Sequence, residues 1–178
     1  MARLINFSLK LERHENMTAL IVIFITLSLM GSALWIMPPK KERQRMALRM
    51  HARKLGLTVQ LTSIDLPDKW DKSLNRQKTV AYSFYRLKPV ASLPDCIWLL
   101  PYEIWKYNAL LDGWWSSELF VLTADAQKIL EKHRALLVGI KITPEFVALY
   151  WDEAGDELVL DELAELVFSL VEVKSVPN

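Results

Sequence analysis

Twenty consecutive residues without a charge, Thr18 to Met37 (TALIVIFITLSLMGSALWIM), constrain this 178-residue chain more than any other feature. A helix of that length rises roughly 30 Å, the thickness of a bilayer's hydrocarbon core. The hydroxyls of Thr18, Thr26, Ser28 and Ser32 can bond back to the helix backbone. Trp35 sits near one end, where an indole suits the membrane–water boundary. The stretch therefore predicts a transmembrane helix over 18–37. A cleaved secretory signal competes for it, because Gly31-Ser32-Ala33 has small residues at cleavage-like spacing. Two acids upstream, Glu12 and Glu15, and strongly basic residues downstream oppose cleavage and favour an uncleaved anchor.

Positive charge flanking a spanning helix stays on the cytoplasmic side. The segment after the apolar run contains Lys40, Lys41, Arg43, Arg45, Arg49, Arg53 and Lys54 against the single acid Glu42, a net charge of +6. The expected layout is an external tail over 1–17, the spanning helix, a basic juxtamembrane helix over 38–56 and a cytoplasmic domain over 57–178. A bacterial inner membrane is the expected location. Pro39 suits the first position of the juxtamembrane helix and Gly56 its stop. Met46 and Met50 with Ala47 give it a narrow apolar stripe. Three uses of the collar compete: anionic headgroups, an acidic partner surface, or RNA phosphates. The first is favoured, with Trp35, Lys40, Lys41, Arg43, Arg45, Arg49 and Arg53 as lipid contacts. Nucleic acid is not an expected partner, because aromatic residues for base stacking are missing from the collar.

Trp35-Ile36-Met37-Pro38-Pro39 followed by Lys40-Lys41-Glu42-Arg43-Gln44 resembles the YajC family, small single-pass accessory subunits of the bacterial protein-export channel. The likeness covers about Leu27 to Leu57. The family continues into a small Gly-rich β domain, whereas Gly56-Leu57-Thr58-Val59 here opens a longer, Trp-rich one. The resemblance implies a shared layout of anchor and collar, not a shared activity.

In the remaining 122 residues, Leu57, Val59 and Leu61 alternate with polar residues as in a half-buried strand. Strands are also expected over 80–87, 97–100, 104–107, 114–122, 138–142 and 146–151, with 67–78 and 88–95 as loops. Asp112-Gly113 signals a hairpin turn. Thr123 caps a helix running to about Leu136, and an apolar stripe of Val159, Leu163, Leu166, Val167 and Leu170 marks a final helix. The fold class expected is α+β: one N-terminal transmembrane helix plus a small domain whose antiparallel sheet carries helices on one face.

Catalytic patterns are missing from the sequence. His14, His51 and His133 are widely spaced, and the lone Cys96 has no His near it. Five scattered glycines form no phosphate loop, and no spacing suits a metal, so no cofactor is expected. From Glu145 onward nine acids face Lys174 alone, a net −8, which suggests a solvated face, one held off an anionic leaflet, or one that meets another copy's collar. Of seven tryptophans, adjacent Trp114 and Trp115 would point to opposite faces of a strand, so at least one is a candidate partner contact. The sequence thus favours a membrane-anchored, non-enzymatic protein-interaction module, an accessory or assembly subunit of a larger membrane complex. Alternatives are a tethered enzyme with an unfamiliar site and an anionic-lipid sensor. Expected partners are membrane lipid and protein subunits, with a homo-oligomer as a further option.

Overall fold

The computed structural model describes residues 17–32, 39–68 and 73–173. The chain divides into two compact units, 1–43 and 44–178. In the first, helix α1 covers residues 17–32. The Thr26 hydroxyl donates to the Val22 carbonyl at 2.6 Å and the Ser32 hydroxyl to the Leu29 carbonyl at 2.9 Å, absorbing polar groups of the apolar run. Among the described residues no helix is long and apolar enough to cross a membrane. The described α1 would rise only roughly 24 Å, short of the roughly 30 Å a span needs. This corrects the transmembrane helix expected over 18–37. The single-pass layout and inner-membrane location drawn from it lose the helix they rested on. Trp35, the end of the expected span and the expected external tail lie outside the described residues.

Helix α2 spans Lys40–Lys54. It starts on Pro39, whose carbonyl accepts from the Glu42 and Arg43 amides. At its end Gly56 takes φ +88°, a left-handed conformation that costs glycine little. The Leu57 amide bonds to the Ala52 carbonyl at 2.9 Å and the Gly56 amide to the Arg53 carbonyl at 3.1 Å, a Schellman closure. Leu57 is buried behind it. The apolar stripe of α2 is Leu48 and Ala52, both fully buried, while Met46 and Met50 are exposed. Both pairs stand four residues apart, so spacing alone does not choose between them.

Seven antiparallel strands follow: β1 (Thr58–Pro67), β2 (Leu74–Tyr85), β3 (Ile97–Leu100), β4 (Asn108–Leu111), β5 (Trp114–Ser116), β6 (Leu137–Ile142) and β7 (Phe146–Trp151). Their order across the sheet is β1-β2-β7-β6-β3-β5-β4. Strand β2 begins inside the stretch expected to be a loop. Its polar arm pairs in register with β1, with Asp65 opposite Arg76 and Thr62 opposite Thr79. Only Val80 to Tyr85 of β2 reach β7, so the β1–β2 ribbon continues past the end of β7 at Trp151. The expected strand over 104–107 is a turn in which Lys106 takes φ +79°. Strand β5 stops at Ser116, whose hydroxyl donates to the Glu118 carbonyl.

Helix α3 (Ala124–His133) is capped by Thr123 and ends in a 3₁₀ turn, Arg134–Leu136. Helix α4 (Glu157–Val171) is capped by the Asp156 carboxylate, which accepts from the Val159 amide at 3.0 Å. Helix α4 has no basic residue in its last turn. Arg86, just past β2, supplies the charge there by donating to the Leu170, Val171 and Val173 carbonyls. One face of the sheet packs on α2, α3 and α4 through a core that includes Leu48, Trp114, Leu130, Leu149, Trp151, Leu163 and Leu166. The opposite face has a smaller cluster of Ile64, Leu66, Ala81, Leu100, Ile104, Ala148 and Tyr150.

Candidate functional site

Where the β1–β2 ribbon passes the end of β7, the chain turns through Asp152 and Glu153 toward α4. The turn is tight: the Asp152 carboxylate accepts from the Ala154 amide at 3.0 Å, and Glu153 adopts φ +58°. A side chain with a Cβ in that region costs roughly 1–2 kcal/mol, so its surroundings must hold it there. They do so through the carboxylate. Arg49 of α2 grips both oxygens of Glu153, Nε to Oε1 and Nη2 to Oε2, each at 2.7 Å. The Tyr82 hydroxyl of β2 donates to Oε1 at 2.9 Å. The Glu153 side chain is 2% exposed and that of Arg49 29%. Hydrogen bonding to Glu153 raises the Arg49 pKa, against a smaller opposing effect of burial. Burial, with the adjacent carboxylate, pushes the Tyr82 phenol well above its ordinary value. Arg49, Glu153 and Tyr82 thus form one hydrogen-bonded trio.

Arg45, one turn earlier on α2, forms a longer ion pair with the same carboxylate. Its Nε is 3.7 Å from Glu153 Oε2 and, though buried, makes no hydrogen bond. The Trp151 indole N–H is buried and unbonded too. Its ring packs edge-on against Tyr82, 5.6 Å between centroids. Both atoms belong to residues that line a cleft of about 660 Å³ between α2, the β1–β2 ribbon and the end of β7. Lys78, Ser63 and Thr79 add polar groups to the lining, and Leu61, Val80 and Val138 apolar ones.

The residues expected to touch lipid therefore divide. Lys40, Lys41, Arg43 and Arg53 are exposed on α2, whereas Arg45 and Arg49 are half-buried at the cleft. Collar and acidic segment meet within the chain: Arg49 on Glu153, His51 on Asp161 at 2.7 Å, and the Gln44 amide on the Gly155 carbonyl at 3.0 Å. Sequence reasoning missed Glu153 and Tyr82. Glu153 is one of nine acids in its segment, with nothing in the sequence to single it out, and its partner Arg49 is 104 positions away.

Trp114 is fully buried, its indole donating to the Leu130 carbonyl at 3.2 Å, while Trp115 is half-buried. Trp105, by contrast, is 70% exposed with the Lys106 ammonium over its ring. Cys96 is half-buried, and burial raises its thiol pKa, opposed in part by Lys141, which disfavours the nucleophilic thiolate. Among the described residues no group of three or more His, Cys, Asp or Glu side chains is placed to hold a metal ion. No family model, curated protein or solved structure matches the chain, so the YajC-like reading of the collar has no support from known proteins.

Proposed function

We propose that residues 44–178 form a non-enzymatic protein-interaction module that receives an extended acidic segment of a partner protein along β1. The carrying observation is the contrast between the two edges of the sheet. Strand β4 has four residues and a register shift between Ala109 and Leu111. Short, bulged edges of that kind resist further pairing. Strand β1 has ten residues in unbroken register with β2, no Lys or Arg, and one charge, Asp65. Its outer backbone groups offer a template for another strand.

Charge selects the occupant. Helix α2 runs into β1 through only Leu55, Gly56 and Leu57 and displays Arg53 and Lys54, while β2 displays Arg76 and Lys78. A second copy pairing antiparallel on β1 would bring two basic α2 helices onto one face of a continuous sheet, which their repulsion opposes. An acidic strand gains from the same charges.

Hydrogen exchange on the full chain tests this. A short peptide alternating glutamate and valine should slow exchange of the β1 amides, and its lysine counterpart should not. Equal protection by both peptides, protection by neither, or protection that rises with protein concentration alone would overturn the reading. The last result would indicate self-pairing.

A further inference from the structure

We propose that the gap in the sheet beside the outer half of β2 is a binding site for the carboxyl terminus of a partner chain, held in extended form. This goes beyond strand pairing on β1, which lies on the other flank of the β1–β2 ribbon. Strand β2 is paired on both sides only from Val80 to Tyr85. From Leu74 to Thr79, a stretch of roughly 20 Å, no strand among the described residues pairs with the flank turned away from β1. Backbone groups along such a flank are a template for an added strand.

The gap passes through the plane of the sheet. Gln77 and Thr79 alternate with Lys78 and Val80 between its two faces, yet all four line the cleft of about 660 Å³. A second cavity, of about 570 Å³, shares Gln77 and Val138 with it and extends the opening toward Leu66 and Asn75. Val138 sits in a bulge of β6, where the register shifts between Leu137 and Gly139. Bulges of this kind re-aim side chains beside binding sites.

Two features select a chain end, and a carboxyl end in particular. The line of the gap is already filled by β7 as far as Trp151, so a segment lying in it must stop there. A free terminus stops without needing a turn. Around that blocked end Arg45, Arg49 and Lys78 stand against Asp152 and Glu153, leaving one positive charge in excess. Lys78 is exposed, so its ammonium is open to a ligand carboxylate. Farther out, Leu66, Tyr102, Leu137 and Val138 form an apolar wall for a side chain a few positions before the terminus.

The test is hydrogen exchange on the full chain with the acetylated peptide Ser-Val-Thr-Val ending in a free carboxylate, and with the same peptide amidated. The free acid should slow exchange of alternate β2 amides between Leu74 and Thr79, and amidation should weaken its binding about tenfold. Lys78→Gln, at an exposed position, should weaken the acid severalfold and leave the amide unchanged, a difference that a merely structural role would not produce. Equal binding of acid and amide, no protection of this stretch, or an undiminished preference for the acid in Lys78→Gln would overturn the proposal. Protection confined to the β1 amides would overturn it too while leaving the β1 reading intact, so the two fail separately.

Discussion

Glu153 and Glu162 are held by similar partners and differ in what surrounds them. Each accepts from a cation and one further group: Arg49 and Tyr82 for Glu153, Lys132 and His133 for Glu162. The distances are alike, 2.7 to 2.9 Å at the first and 2.6 to 2.8 Å at the second. Exposure is not: the Glu153 side chain is 2% accessible and that of Glu162 36%. Contact geometry therefore says little about worth here. Water screens one cluster and leaves the other to be balanced by protein alone.

Arg49→Met should break the buried cluster with the largest effect. It leaves Glu153 with Tyr82 and the longer Arg45 ion pair, and should cost about 3 kcal/mol in urea unfolding, the low end for a buried pair because Arg49 is partly exposed and Arg45 remains. Tyr82→Phe removes one hydrogen bond to the buried carboxylate and should cost about 2 kcal/mol. It should also alter the alkaline limb. The folded state raises the Tyr82 pKa above its ordinary 10.0, so this contribution is whole below pH 10 and declines as pH climbs toward the raised value. Unfolding midpoints measured above pH 10 should fall less steeply in Tyr82→Phe than in the parent.

Lys132→Ala, at the exposed cluster, should change stability less than either substitution, and added salt should shrink the difference further. Its clearest trace is in acid. Hydrogen bonds from Lys132 and then His133 hold the Glu162 pKa below the ordinary 4.5, so this stabilisation is present above that pH and is lost as pH falls through the lowered value. In Lys132→Ala the acid limb should be shallower. An acid limb identical to the parent's would mean that His133 alone sets the Glu162 environment.

Legibility in the sequence followed local chemistry. Strands β3 and β7 fall on the expected residues, and Thr123 and Gly56 act as the helix cap and helix stop expected of them. The arm of β2 from Leu74 to Thr79 was hidden, because an exposed hairpin needs no apolar alternation to pair. The collar's charge was plain but its destination was not. Arg45 and Arg49 look identical to Arg53 in sequence, and only the fold brings the Asp152–Glu153 turn beneath them.

The closure at Gly56 has a practical side. Because α2 contributes Leu48 and Ala52 to the interior and passes into β1 with no slack, a protease probing the native protein would find no ready connector there. A fragment beginning at residue 57 would not be a trimmed version of the fold but one with a piece of its filling pulled out.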